Sequence, residues 1–256
     1  SSTSRGLGDV YKRQVVTASP EMGKTQIGIG LALYLLGVAT EQGITLRIAF
    51  VAETFTIAAR MAATAAKYIS GDTEGARAYR ELFPTVKPSR TESWGEEKGY
   101  FVERTTPAKD PSIMAIGLDT GVLSARIDLL VMDDVVTLRN TATVYQRKKV
   151  IAKYDGELSH RCTAHARRWL LGNAWWEGDL LDVLGRRKDW HALTLRIQTE
   201  DGRSSWPARW PAERIATIRE NNPEWRRILW AERRRLVDGN PFGESVDRAL
   251  ELGMGH

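Results

Sequence analysis

Apolar runs and helix-period segments alternate along the first two hundred residues of this chain. Val15 to Ala18 is a short apolar run, and Thr25 to Thr40 follows it with helical character and Gly43 placed to end the helix. Leu46 to Val51 is a second strand-like run, followed by an Ala-rich helical segment from Thr54 to Ile69. Ser70 to Thr91 is polar and irregular, with a helix over Glu74 to Leu82. Tyr100 to Glu103 and Ser112 to Gly117 read as strands of a hairpin region flanked by Pro107 and Pro111. Ile127 to Met132 is a continuous apolar strand that ends in two aspartates, and Thr143 to Leu158 is a basic helix. Trp169 to Gly172 is a short strand, Asp179 to Leu184 a helix and His191 to Ile197 a further strand. Strands that are apolar throughout, separated by helices, predict an α/β fold with a mostly parallel sheet flanked by helices. From Pro207 the pattern changes to Trp- and Arg-rich helix and then a Gly-rich tail, with no internal repeat.

The loop between the first strand and the first helix carries chemistry. It reads Ala18-Ser19-Pro20-Glu21-Met22-Gly23-Lys24-Thr25. Strand, loop and helix in this order are what a phosphate-binding P-loop needs, because the turn wraps a phosphate in backbone N–H groups and aims a helix N-terminus at it. Gly23 permits close backbone approach, Lys24 reaches the β- and γ-phosphates, and the Thr25 hydroxyl is a Mg²⁺ ligand. The first position is Ala18 where the motif has Gly.

The strand Leu129-Leu130-Val131-Met132 delivers Asp133 and Asp134 at its C-terminal end, where ligands of parallel sheets bind. This is the form of a Walker B element. Asp133 is then the Mg²⁺ ligand and Asp134 the acid that positions the attacking water. The two motifs together sharpen the fold class to a P-loop NTPase sheet of RecA-like (ASCE) type, with ATP and Mg²⁺ as expected ligands.

Composition changes the picture at three points. No apolar run is long enough to span a membrane. A single cysteine, Cys162, excludes an intramolecular disulfide framework. His160 and His165 lie close to it, but no fourth metal ligand is evident. Asp9 to Gln14 matches one reading frame of GATGTGTATAAGAGACAG, a transposase end used in preparing sequencing libraries, so residues 1–14 are set aside as a scar. Of the formal net charge of +5, Arg5, Asp9, Lys12 and Arg13 contribute +2, and the remaining +3 gives little support for nucleic-acid binding by itself.

Further ordered blocks carry a family resemblance. Pro111 to Gly117, Thr120-Gly121 and Ala125 to Asp134 form a segment leading into Walker B, and Leu171-Gly172-Asn173-Ala174-Trp175-Trp176-Glu177-Gly178-Asp179-Leu180 forms a second block. Gly202 to Pro211, containing Trp206-Pro207, forms a third. From about Val15 to about Arg235 the chain resembles the large terminase subunit of tailed bacteriophages, the ATP-driven motor that packages DNA. The resemblance implies a P-loop ATPase domain over residues 15–205 and a helical linker and tail over 206–256. It makes Lys24, Asp134 and Asn173 the expected catalytic set, and Thr25 and Asp133 the Mg²⁺ ligands. Asn173 stands in the family's coupling motif, as a γ-phosphate sensor or as a turn residue at the strand end. The implied partners are double-stranded DNA, a portal protein and a small terminase subunit, with the motor working as a homo-oligomeric ring, without a membrane, in the host bacterial cytoplasm.

The departures are as informative. Many terminases carry an arginine in the P-loop, and here that stretch reads Ser19-Pro20-Glu21. A transition-state arginine contributes about 10³–10⁵ in rate, so it is expected from elsewhere in a fast motor. Arg126 matches a family arginine just before Walker B, as a catalytic group or as a structural salt bridge. Nothing after Asp238 has the length or carboxylate-bearing strands of the family's nuclease domain, so no nuclease activity is expected. Eight of the nine tryptophans lie between Trp169 and Trp230, read first as packing. Arg226-Arg227 and Arg233-Arg234-Arg235 lie at helical spacing beside Trp225 and Trp230 and read as a linker helix with a basic face. Two other readings are carried: a RecA-like DNA-dependent ATPase or helicase, and an inactive terminase fragment that only binds nucleotide or DNA.

Overall fold

Strands of Val, Ile, Leu and Met with no polar face must be covered on both sides, and this requirement organises the molecule. The computed structural model describes residues 12–18, 22–106, 108–120, 125–173, 175–199 and 201–221. The Trp225 to Arg235 segment lies outside these residues. Two compact units divide the chain, residues 1–194 and 195–256.

The first unit is built on β1 (Arg13–Ala18), β2 (Ile48–Ala52), β3 (Trp94–Gly95), β4 (Gly99–Tyr100), β5 (Ile113–Gly117), β6 (Ile127–Asp133), β7 (Cys162–Gly172) and β8 (His191–Leu195). They form one sheet in the order β3-β4-β5-β2-β6-β7-β1-β8. The neighbours from β5 through β2, β6 and β7 to β1 are parallel, whereas β3-β4 and β4-β5 are antiparallel. The expected fold class is the one observed.

The helices are α1 (Lys24–Glu41), α2 (Phe55–Ser70), α3 (Glu74–Leu82), α4 (Leu138–Thr141), α5 (Val144–Lys153), α6 (Ser159–Arg161), α7 (Leu180–Gly185) and, in the second unit, α8 (Ala212–Asn221). Their ends follow local rules. Thr54, Thr73 and Thr143 cap α2, α3 and α5 by accepting backbone N–H groups of Ile57, Ala76 and Gln146. Gly43 stands left-handed beyond α1 at φ 70°, where it closes the helix. Among the described residues no helix is long and apolar enough to cross a membrane.

Alternate strand residues enter two separate cores. Phe50, Leu129 and Val131 pack with α1 and α2 on one face, through Ile29, Leu33, Leu36, Ala58 and Ala62. Ala49, Val51, Leu130 and Met132 pack on the other with Val150, Tyr154, Leu158, Leu180 and Leu184. Each fully buried large side chain contributes about 1.5–3 kcal/mol, which makes β6 the anchor of the sheet.

Several elements depart from the periodicity. The strand expected over Tyr100 to Glu103 is confined to Gly99–Tyr100, with Val102 making a single bridge to Pro88. β7 runs for eleven residues instead of four, since its first half lacks an apolar run and is mostly not buried, while its backbone still pairs. The register shifts between Ile127 and Leu129 absorb extra residues of β7 there. The helix expected over Thr143 to Leu158 stops being α-helical at Lys153 and passes through a π-turn at Tyr154–Leu158. β1 begins at Arg13, because Arg13 and Gln14 pair with Arg168 and Trp169. In the second unit a bridge between Gln198 and Ser204 closes a turn at Gly202, and the Arg214 guanidinium lies 4.4 Å from the Trp210 ring.

Candidate functional site: a P-loop at the strand ends

Parallel register brings three strand ends together. Thr17 of β1 pairs with Gly172 of β7, and Leu171 of β7 pairs with Asp133 of β6. The loop after Ala18, Asn173 after β7, and Asp133-Asp134 at the end of β6 therefore lie on one edge of the sheet, with β7 interposed between the other two strands.

Gly23 precedes α1 at φ 73°, in the left-handed region where glycine is at ease. α1 starts without a side-chain cap and without an acidic residue in its first turn. Its first N–H groups and the positive end of its dipole are thus available to an anion. Ser19, Pro20 and Glu21 lie outside the described residues; Met22 is half-buried beside Gly23.

Lys24 is buried, and its Nζ donates to Ala18 O at 2.7 Å and to Asn173 Oδ1 at 3.3 Å. Burial lowers its pKa, opposed by the nearby Asp134 and Asp133 carboxylates. The Thr25 hydroxyl donates to Asp133 Oδ2. Asp133 is only 4% exposed, and its Oδ1 has no hydrogen-bond partner among the described residues. Burial pushes its carboxyl up to about 6, helped by Asp134 and opposed by Thr25 and Lys24. A buried, unpartnered carboxylate oxygen beside a hydroxyl is a donor set that suits a hard divalent cation such as Mg²⁺, and Thr25 and Asp133 fit that ion.

Asp134 stands at the mouth of the site with φ 45°, an uncommon value for a residue with a Cβ. Its N–H donates to Leu171 O at 3.1 Å, tying the end of β6 to β7. It is more exposed than Asp133, and partial desolvation raises its pKa, with Lys24 opposing. Asn173 is brought to Lys24 as well. Arg126 is not at this edge: it precedes the first residue of β6, its side chain is exposed and its N–H donates to Asp110 Oδ2. The seven-residue strand β6 separates it from Asp133 by about 20 Å.

Residues to which the sequence assigned no individual role hold this edge in shape. Asp179 is fully buried, and its carboxylate accepts N–H groups of Trp175, Trp176 and Asp182 at 2.9–3.0 Å. Trp175 Nε1 donates to Val136 O at 3.1 Å. Glu53, at the end of β2, accepts from Thr137 Oγ1 at 3.1 Å and Arg139 Nε at 2.9 Å. A signal for Glu53 was present, a carboxylate closing the apolar run Ile48 to Ala52, but a single acid at a strand end is ordinary.

No protein-family model matches the chain, and no curated protein matches it. Solved structures do. The large terminase ATPase domain of Thermus phage P74-26 is similar with a TM-score of 0.52 and 15% identity, over 85% of this chain and 86% of that one. An arginine-to-alanine mutant of the same domain is similar with a TM-score of 0.51 over the same shares. With its eight mostly parallel strands flanked by helices, this chain has the fold of a phage large terminase ATPase domain.

Proposed function

We propose that this chain is the Mg²⁺-dependent ATP-hydrolysing motor domain of a phage large terminase and powers packaging of double-stranded DNA. The observation that carries this reading is the meeting of Lys24 with Asn173, and of Thr25 with Asp133, at the ends of adjacent strands. In this reading the first turn of α1 and Lys24 bind the β- and γ-phosphates. Thr25 and Asp133 hold Mg²⁺, which when bound neutralises charge developing on the phosphates. Asp134 orients the attacking water and accepts its proton. Its raised pKa strengthens it as a base, and the carboxylate form is kept by Lys24 close by. Asn173 shares Lys24 with the phosphates and so registers whether the γ-phosphate is there. The work is done on double-stranded DNA in the host bacterial cytoplasm, with a portal protein and small terminase subunit as partners and a ring of copies as the motor.

The test is DNA-stimulated phosphate release. Lys24→Ala is expected to abolish it, because the group that neutralises the transferring phosphoryl is gone. Undiminished turnover in that variant sinks the assignment.

A further inference from the structure

Asp134 holds a left-handed backbone without being glycine, and such a conformation persists only where the surroundings over-determine it. The surroundings here are specific. On its own side, the Asp134 N–H is fixed to Leu171 O of β7. The five residues that follow are tied from two directions. Trp175, beyond the end of β7, donates its indole N–H to Val136 O. Glu53, beyond the end of β2, receives Thr137 Oγ1 and Arg139 Nε on the same oxygen, Oε1. Glu53 lies two residues past Val51 and Asp134 two past Met132, and Val51 and Met132 are a register pair, so the two acids close their strands at the same level. The Glu53 side chain is only 14% exposed, which leaves its carboxylate poorly hydrated and dependent on these donors.

We infer that Glu53 and Trp175 are positioning residues that hold the strained Asp134 in its water-orienting place, acting through the Val136–Arg139 segment. The inference rests on the proposed ATPase reading for its kinetic consequence and on the two tethers for its structural one. Trp175 also joins this segment to the loop that follows Asn173. Asp179 fixes that loop by accepting the Trp175 and Trp176 N–H groups.

Two measurements on the whole chain test it. Glu53→Ala and Trp175→Phe are expected to lower kcat for ATP by about tenfold to a hundredfold, while KM stays within about twofold. Glu53→Gln, which keeps an acceptor at Oε1, and Trp175→His, which keeps a ring N–H, recover part of the loss. In the same two deleting variants, amide hydrogen exchange over residues 134–141, measured without nucleotide, is expected to quicken while the rest of the sheet stays protected. Wild-type chain that hydrolyses no ATP defeats the functional reading, and the exchange measurement then decides the tether alone. Unchanged exchange overturns the inference, as does unchanged kcat in an active chain or a rise in KM with kcat preserved.

Discussion

Asp134 pays for its place with backbone strain, whereas a glycine adopts φ 45° at no steric cost. Asp134→Gly is therefore expected to raise stability by about 0.5–1 kcal/mol while removing turnover, read as a higher denaturation midpoint with no phosphate release. A midpoint that falls instead shows that the carboxylate, not the torsion, dominates folding at this position. Asp133 poses the opposite problem. Its carboxyl is raised to about 6 by burial, above the unfolded value of about 3.9. A raised pKa means the folded chain holds the proton more tightly, so the stability contribution is present below about pH 4 and is lost as pH rises through about 6. Metal-free Asp133→Asn should then be more stable than wild type at pH 8, by up to about 3 kcal/mol, with the advantage shrinking towards pH 4. Added Mg²⁺ stabilises the wild type at pH 8 and not the variant, because the uncompensated carboxylate is what the cation neutralises.

Helix α1 shows how an element is fitted to its sheet. A Cβ built on Gly28 falls 2.6 Å from Leu171 Cδ1 and 3.5 Å from Val131 Cγ1, so this helix approaches β6 and β7 closely at that residue. Two positions on, Gly30 meets nothing within 4 Å and is exposed. Gly28→Val should cost about 1–3 kcal/mol by overpacking, whereas Gly30→Ala should gain about 0.5–1 kcal/mol from helix propensity. Urea denaturation distinguishes them, and equal effects at the two positions contradict the close approach. The same element explains what periodicity reports. α1 was legible in the sequence between Thr25 and Thr40, since apolar residues and a stop glycine are local signals. β7 was legible only in its last four residues. Cys162 to Arg168 reads as polar, and its strand conformation comes from pairing with β6 and β1 rather than from its own burial pattern.

At the scale of the whole molecule, the sheet order brings separated motifs to one end of the sheet. If the strand ends bind nucleotide, ATP with Mg²⁺ at about a hundredfold over Kd adds about 2.7 kcal/mol to the stability of the folded chain. The thermal midpoint should rise accordingly in the wild type and not in Lys24→Ala; a rise retained in the variant places binding elsewhere. Much of this was readable in one dimension. Gly23-Lys24-Thr25 and Asp133-Asp134 are recognisable because P-loop and strand-end chemistry depend on residues adjacent in the chain. The strand-like runs Leu46 to Val51 and Ile127 to Met132 announce a sheet covered on both faces because their residues are predominantly apolar. Other features were not readable. Glu53 meets Thr137 across 84 positions, and Trp175 meets Val136 across 39. Nothing local in either residue announces its partner. The sequence by itself determined most of the helices and apolar strands and the chemical groups at their ends, since both follow from short-range periodicity and residue type. Only the tertiary structure decided that β7 lies between β1 and β6, that Asn173 thereby reaches Lys24, and that Arg126 stands at the far end of β6, because strand order is set by long-range pairing and packing.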